Sequence, residues 1–361
     1  MNQSVYIHIP FCRKICSYCD FCKMNYNSIF ASKYLGALNA EIKDKYEGEE
    51  ISTLYIGGGT PSCLSTSELE GLCKIISIFK LEEDYEFTFE CNIGDINTDL
   101  LILLKNMGVN RLSISVESFD KDNLELMNRS CTFDEAYSKM KLCREMGFDN
   151  INIDLIYALP NEEFKTLKKD IDLALKLNPD HISTYSLILE DNTLLKIKGY
   201  QNIDEDLDYK MYNYIIKKLT EKGYIHYEIS NFAKLGKESR HNLNCWNNNE
   251  YYGFGLGAAG YFEGVRYQNT RNLTKYINGE YILENELVTK ESKMKYELML
   301  GLRKLKGVNI KEFHDKYKEN IQNVFDLNEL MKNKDLILKD NYLFINPKKI
   351  YLMNEILLKI I

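Results

Sequence analysis

Six short runs rich in β-branched and aromatic residues alternate with longer amphipathic stretches in the first part of this 361-residue chain. Such alternation is typical of βα units, whose strands lie parallel in one sheet. The predicted strands are Val5 to Ile9, Thr53 to Ile56, Glu86 to Glu90, Arg111 to Val116, Asn152 to Ile156 and His181 to Leu187. The predicted helices between them, with apolar residues at helical spacing, are Ser32 to Tyr46, Ser67 to Phe79, Thr98 to Met107, Phe133 to Met146 and Phe164 to Leu177.

Six units are fewer than the eight that close a full barrel, so we predict an α/β fold with an open, partial (β/α)6 barrel. Its site should lie at the carboxyl ends of the strands, where parallel α/β sheets carry their chemistry. After about Glu190 the pattern becomes mainly helical, and from Leu327 it predicts a helix, a hairpin and a last helix. We therefore predict a barrel domain over 1–190 and a smaller, mainly helical C-terminal domain with a winged-helix-like end over 191–361.

Charge and hydropathy exclude some classes of protein. The net charge of -7 argues against nucleic acid as the main partner, because phosphate contacts need a basic surface. The N-terminal residues lack the charged start, apolar core and cleavage site of a signal peptide, and no apolar run approaches the roughly 18 residues of a membrane span. These features predict a cytoplasmic protein, and peripheral attachment to a membrane stays compatible with them.

Four of the ten cysteines lie close together in the sequence, between Cys12 and Cys22. Three of them, in Cys12-Arg-Lys-Ile-Cys16-Ser-Tyr-Cys19, fall in one loop after the first predicted strand, and such spacing suits iron-sulfur ligation. Three thiolates on a four-iron cluster leave one iron open to a further ligand. Zinc is the alternative, with Cys22 or His8 as the fourth ligand.

Three glycines end the second predicted strand, in Tyr55-Ile-Gly-Gly-Gly-Thr-Pro-Ser62. Glycine lets a ligand approach the backbone closely and leaves N–H and C=O groups unshielded. Because this turn and the cysteine loop follow neighbouring strands, we expect both at the same edge of the sheet.

These motifs resemble the radical-SAM superfamily, and in particular its branch of anaerobic coproporphyrinogen oxidases and HemW-type heme chaperones. The resemblance extends over nearly the whole chain, in the same order of motifs. The matching segments are Tyr6 to Cys12, Gly57 to Ser62, Arg111 to Ser113, Asp154 to Tyr157, Leu159-Pro160, Tyr227 to Phe232, His241-Asn242 with Trp246, and Gly255 to Ala258.

The resemblance implies a 4Fe-4S cluster on Cys12, Cys16 and Cys19, whose open iron binds the amino and carboxylate groups of S-adenosylmethionine. An electron donor would reduce the cluster, and the cofactor would then be cleaved to a deoxyadenosyl radical. Position 117 usually carries glutamine in the family, whereas this chain has Glu117. The cofactor-binding residues that the resemblance implies are Tyr6, Gly57, Gly58, Gly59, Thr60, Glu90, Glu117, Arg129 and Asp154.

The sequence of the cysteine loop also distinguishes between the two functions found in this branch. Anaerobic oxidases resemble this chain less, because they carry a longer segment before the loop and a further cysteine in a CxC pattern after it. Here Asp20 and Phe21 follow Cys19, as in the chaperones, so the resemblance favours a protein that delivers heme to respiratory proteins. A coproporphyrinogen III oxidase, or a divergent radical-SAM enzyme acting on another substrate, is the alternative.

The predicted heme ligand is His241, in Arg240-His-Asn-Leu-Asn-Cys-Trp246. Imidazole is a good axial ligand for heme iron, and the chaperones carry an HNxxYW motif here. This chain has Cys245 in place of the motif's tyrosine, and that thiol could ligate iron or merely fill space. The sequence thus predicts three cofactors: a 4Fe-4S cluster, S-adenosylmethionine and heme.

Overall fold

The structure, a computed structural model, describes residues 3–360, so residues 1, 2 and 361 of the two predicted domains lie outside it. Seventeen strands occur in the described part. They are β1 (Gln3–Ile9), β2 (Phe11–Cys12), β3 (Met24–Asn25), β4 (Glu50–Gly58), β5 (Lys80–Asn92), β6 (Arg111–Glu117), β7 (Ile151–Tyr157), β8 (His181–Ser186), β9 (Ile225–Glu228), β10 (Asn231–Ala233), β11 (Tyr251–Phe254), β12 (Ala259–Phe262), β13 (Val265–Asn269), β14 (Ile282–Leu287), β15 (Val308–Asn309), β16 (Leu336–Lys339) and β17 (Tyr342–Ile345).

Fifteen α-helices connect and cover these strands in the same residues. They are α1 (Ser28–Lys45), α2 (Thr66–Ile76), α3 (Thr98–Asn106), α4 (Lys121–Leu126), α5 (Phe133–Glu145), α6 (Phe164–Lys176), α7 (Leu194–Ile197), α8 (Glu205–Glu221), α9 (Arg240–Trp246), α10 (Leu273–Ile277), α11 (Lys290–Gly301), α12 (Ile310–Tyr317), α13 (Ile321–Val324), α14 (Asn328–Lys332) and α15 (Met353–Leu358). No helix among residues 3–360 combines the length and the apolar character that crossing a membrane requires.

Six parallel strands form the predicted barrel, in the order β1-β4-β5-β6-β7-β8. Each is followed by helical segments before the next, as the βα pattern predicts. The sheet does not close on itself, because β1 pairs onward with β11 and β8 pairs with β10. The open (β/α)6 barrel is therefore confirmed.

Strands from the second half of the chain lengthen this sheet at both edges. The order β14-β13-β12-β11 continues from β1, and β10-β9 continues from β8, so the sheet has twelve strands. These strands are not evident from the sequence, because they are short and most carry glycine or asparagine where strands usually carry β-branched residues. The predicted boundary at residue 190 stays a prediction.

Helices and a small antiparallel sheet make up the end of the chain. The sheet has the order β15-β17-β16, and β16 and β17 are joined by a tight turn at Asp340 and Asn341, which both have positive φ. Helices α11, α12 and α14 contact it, in agreement with the predicted mainly helical, winged-helix-like end.

The barrel strands alternate between two environments, and this alternation positions the site. In β6, the apolar Leu112, Ile114 and Val116 are buried towards the helices. The residues between them, which point to the opposite face, are Arg111, Ser113, Ser115 and Glu117. The barrel interior is consequently lined by polar side chains that must find partners within it.

Candidate cofactor-binding site

The cysteine loop lies at the carboxyl-terminal end of the barrel. Cys12 ends β2, and Cys16 and Cys19 follow in the connection to β3. Backbone contacts hold the loop from two sides: the Ser17 N–H donates to the Met127 carbonyl at 3.2 Å, and the Leu195 N–H donates to the Ser17 carbonyl at 3.0 Å. The three thiols are therefore held by secondary structure on both sides of the barrel opening.

A cavity of about 510 Å³ opens beside this loop, and it gathers most of the predicted site residues. All three cysteines line it, and the carboxyl-terminal halves of five barrel strands supply its floor and walls. The predicted residues that line it are Cys12, Cys16, Cys19, Gly58, Gly59, Thr60, Glu90, Glu117, Arg129 and Asp154. Its size is that of a pocket for a ligand of several hundred daltons.

Cys22 and His8, the two predicted candidates for a fourth zinc ligand, have other contacts. Cys22 is buried, and a Cβ atom on Gly257 would lie 2.6 Å from its Cβ, so the thiol packs tightly against that turn. His8 donates from Nε2 to the Cys22 carbonyl at 2.7 Å, and its Nδ1 accepts from the Tyr6 hydroxyl at 2.9 Å. Burial lowers the pKa of His8 to about 4, which keeps this imidazole neutral.

Arg129 connects the cysteine loop to the polar wall of the cavity. Its Nε donates to Cys16 Sγ at 3.2 Å, one terminal nitrogen donates to Ser115 Oγ at 3.1 Å, and the other lies 3.1 Å from Glu117 Oε1. The Tyr18 hydroxyl donates to the same Glu117 oxygen at 2.9 Å. Arg129 thereby links the Cys16 thiol to Ser115 and Glu117 on β6.

Glu117 has an unusual backbone conformation. Its φ is +72°, in the left-handed region that non-glycine residues rarely adopt, and the pairing of β6 with β7 is irregular at this point. Burial raises the pKa of Glu117 to about 7, and the Arg129 guanidinium opposes that shift. The irregularity turns the carboxylate towards Arg129, and the ion pair compensates for its burial.

Two further carboxylates lie on the cavity floor. Glu90 accepts from the Tyr55 hydroxyl at 2.7 Å and from the Gly58 N–H at 2.9 Å, and burial raises its pKa to about 7. Asp154 accepts from the Asn152 side-chain amide at 2.8 Å, and burial raises its pKa as well. Carboxyl groups of this kind can accept from ribose hydroxyls or from an amino group.

The glycine turn has a structural role that the sequence analysis described incorrectly. The N–H groups of Gly58, Gly59 and Thr60 are already bonded, to Glu90, the Ile9 carbonyl and the Phe11 carbonyl. The prediction that they stay free for a ligand was wrong for these amides. Gly58 has φ +109°, and a Cβ there would lie 2.5 Å from the His8 ring, so glycine is required for packing against β1.

Three predicted residues are not among those that line the cavity. Tyr6 and Gly57 lie beneath it on β1 and β4, where a Cβ on Gly57 would collide with the Glu90 carboxylate. His241 lies on α9 and is 6% exposed. Its Nδ1 is 2.9 Å from Thr53 Oγ1 and its ring centroid is 5.1 Å from that of Tyr55, deep in the barrel. The structure therefore separates His241 from the cysteine loop.

Several cavity residues escaped the sequence analysis. All but Tyr18 have an inward-facing polar or aromatic side chain on a barrel strand, which the alternation along each strand could have revealed. Tyr18 lies in the cysteine loop. The missed lining residues are Tyr18, Tyr55, Asn92, Ser113, Ser115 and Tyr185.

Comparison with known proteins relates this geometry to a family. A family model for the radical SAM superfamily matches residues 6–174, and one for the HemN C-terminal domain matches residues 288–352. A heme chaperone HemW of Lactococcus lactis is 39% identical over 92% of this chain and 90% of its own length. A heme chaperone HemW of Bacillus subtilis is 40% identical over 90% of this chain and 89% of its own. The chain belongs to the HemW family of radical SAM proteins.

A solved structure agrees with the fold of this family member. The coproporphyrinogen III oxidase HemN of Escherichia coli superposes with a TM-score of 0.88, covering 99% of this chain and 89% of that one, at 23% identity. At that identity the likeness establishes the shared architecture, including the C-terminal part.

Membership of the radical SAM family establishes a 4Fe-4S cluster and S-adenosylmethionine as cofactors, and the cavity suits both. The three thiols of the cysteine loop line it. Cys22 packs elsewhere, and Cys91, the other cysteine of the lining, lies buried on β5 outside the loop. This arrangement suits a cluster held by three loop cysteines with one open iron. Burial raises the pKa of the Cys12 thiol to about 11, so bound iron has to stabilise the thiolate form. When bound, the cluster and its cofactor supply one-electron chemistry.

Proposed function

We propose that this chain is a heme chaperone, which binds heme in the cytoplasm and delivers it to heme-accepting respiratory proteins. The observation that carries the proposal is the match to HemW heme chaperones. It covers about nine tenths of this chain and about nine tenths of each of the two chaperones. The match includes the segment around His241, which is the proposed axial ligand of the heme iron.

The surroundings of the cysteine loop support the chaperone over the oxidase. Phe21 stands where the oxidases carry the further cysteine of their CxC pattern, and it lines the cavity with 69% of its surface exposed. Cys22 does not substitute for that cysteine, because it is buried against Gly257. Nothing in the loop therefore supplies a fourth thiol to the cavity in the way that the oxidase pattern would.

An electron donor is part of the proposal, because cluster reduction precedes any cleavage of the cofactor. Cys16 and Cys19 are partly exposed at the cavity opening, so a redox partner can approach the cluster from solvent there. Peripheral contact with a membrane would bring the chaperone near respiratory recipients.

A heme titration with parallel product analysis tests the function. We expect the anaerobically reconstituted protein to develop a Soret band that saturates with added heme, and to leave coproporphyrinogen III unchanged in the presence of S-adenosylmethionine and a reductant. Formation of protoporphyrinogen would instead establish the oxidase. Absence of a Soret band in protein with an intact cluster would rule out the chaperone.

The axial ligand is tested by two variants on α9. His241→Ala should lose or shift the Soret band while cluster content persists, because the cysteine loop and α9 are separate parts of the fold. Cys245→Ser is the control: burial raises the pKa of this thiol to about 12, so we expect imidazole ligation and an unchanged spectrum. Since His241 is enclosed by Thr53 and Tyr55, ligation requires α9 to move. A spectrum altered by Cys245→Ser alone would assign the iron to the thiolate.

A further inference from the structure

A second cavity lies at the opposite, amino-terminal end of the barrel. Its volume is about 590 Å³, comparable with that of the cofactor cavity. The start of β1 and β4 forms one wall, through Gln3, Ser52 and Thr53. Helix α9 forms another, and α11 and α12 contribute Lys293 and Lys316. None of the residues that bind the cluster reaches it.

The charges around this cavity are predominantly positive. Arg240, Lys293 and Lys316 line it, against Glu250 as the acidic residue, which leaves a net charge of +2 from three cations and one anion. Glu250 accepts from the Glu263 and Gly264 N–H groups at 3.1 and 2.9 Å, so its carboxylate is already satisfied. Arg240 and Lys316 already pair with Asp84 and Glu297, which lie outside the lining, so Lys293 is the lining cation without a carboxylate partner among residues 3–360.

Two donors in the lining have no partner in the part of the chain that the structure describes. Gln3 is 7% exposed, and its side-chain Nε2 has no hydrogen-bond partner among residues 3–360. A buried, unpaired amide is costly, and a ligand that accepts a hydrogen bond would remove that cost. The Lys293 ammonium likewise makes no ion pair within the described residues, whereas Lys316 contacts Glu297. The cavity thus offers an unpaired amide and an unpaired cation to the same ligand.

The cavity also borders α9, the helix that carries the proposed heme ligand. Arg240, Leu243, Asn244 and Asn247, spaced three or four residues apart, present one face of α9 to it. His241 is on another face of the same helix, and its Nδ1 lies 2.9 Å from Oγ1 of Thr53, which lines the cavity. A ligand held here would lie directly beside the helix that carries His241.

We propose that this amino-terminal cavity holds the propionate groups of heme, with Lys293 and Gln3 as their donors. The proposal rests on the heme-binding function proposed above and adds the site that recognises the carboxylate edge of the ring. Leu243, Tyr261 and Tyr317 provide apolar and aromatic surface for the adjoining part of a flat ligand. Carboxylates paired with a cation and an amide form charge-assisted hydrogen bonds, which are the stronger class.

Comparing the affinities for heme and for its dimethyl ester tests the propionate site separately from heme binding in general. The ester keeps the ring and the iron but loses both negative charges. In reconstituted full-length protein, Lys293→Gln and Gln3→Leu should each weaken heme binding roughly tenfold, the usual effect of losing one hydrogen bond to a charged group. Both variants should weaken binding of the ester less than binding of heme, because the ester carbonyls still accept hydrogen bonds but carry no charge. Soret titrations measure both ligands, with cluster absorbance as the check on folding.

Lys290→Gln is the matched control. Lys290 lies one turn earlier on α11, pairs with Glu319 at 3.1 Å and does not line the cavity, so this variant should bind both ligands like the wild type. Equal weakening of heme and ester, or unchanged heme affinity in both cavity variants, would overturn this site and leave the proposed function intact. Wild-type protein that binds neither ligand would overturn the function itself.

Discussion

The two ends of the barrel differ in how their polar side chains are used. At the carboxyl-terminal end, thiols, carboxylates and Arg129 converge on one open cavity. Towards the amino-terminal end, His241 is enclosed by Thr53 on one side and Tyr55 on the other. Thr53 and Tyr55 are two residues apart on β4, and they line the second and the first cavity respectively. His241 therefore lies between the two cavities, and it belongs to neither lining.

This difference shows that the type of a side chain determines its chemistry, whereas its location in the fold determines whether a ligand can reach it. The cysteines follow a strand end, and strand ends of parallel sheets are open to solvent and ligand. His241 occupies a short helix packed across the barrel, where burial lowers its pKa to about 3. A metal ligand at the strand end can bind metal without rearrangement, whereas a metal ligand at the position of His241 needs a conformational change before it can bind.

The largest expected effect concerns the cysteine loop. Cys16→Ala should abolish iron-sulfur absorbance in anaerobically reconstituted protein, because it removes one of three thiolate anchors and the contact with Arg129 Nε. Iron and sulfide analysis measures the loss.

Cys22→Ala is the matched control for that loss, since it removes a neighbouring thiol that packs against Gly257 outside the cavity. This variant should keep its cluster. Iron lost to the same extent in both variants would mean four cysteine ligands, and the carboxyl-terminal cavity would then lack an open iron.

A smaller effect is expected for the polar wall of the same cavity. Asp154→Ala and Arg129→Ala should each weaken the binding of S-adenosylmethionine by about 1.5 to 3 kcal/mol, or roughly 10- to 100-fold, by removing a charge-assisted contact. Calorimetric titration of cluster-loaded protein measures it. Glu135→Ala, which removes an exposed capping carboxylate on α5, should bind like the wild type. If both Asp154→Ala and Arg129→Ala leave the affinity unchanged, neither residue contacts S-adenosylmethionine, and both have only a structural role as ion-pair and hydrogen-bond partners.

The smallest effect concerns His241 and the pH dependence of stability. Its pKa is lowered by burial and by nearby Arg111, so the unfolded chain binds the proton more tightly than the folded one. The contribution of the neutral His241 ring to the free energy of unfolding is fully present above pH 6.5 and is lost as the pH falls towards 3. Between pH 7.5 and 5.5, wild type should lose about 1.4 kcal/mol more of its free energy of unfolding than His241→Gln, measured in urea. Equal losses would show that the ring is accessible to protons in the folded protein.

The sequence by itself determined the barrel and predicted the cysteine ligands, because both depend on local patterns. Alternating βα segments predict a parallel sheet wherever they occur, and three cysteines within eight residues must share one loop after β1. The motifs around Gly57 and His241 are enough to recognise the family from the sequence.

Tertiary structure decided which residues meet. Arg129 contacts Cys16 although 113 positions separate them, and strands from the second half of the chain pair with β1 and β8. The glycine amides looked free in the sequence, yet Ile9 and Phe11 use them. The sequence predicted His241 as a heme ligand without revealing its burial, which arises because α9 packs against β4. Such contacts arise from the long-range packing of the chain, and the spacing of residues in the sequence does not predict them.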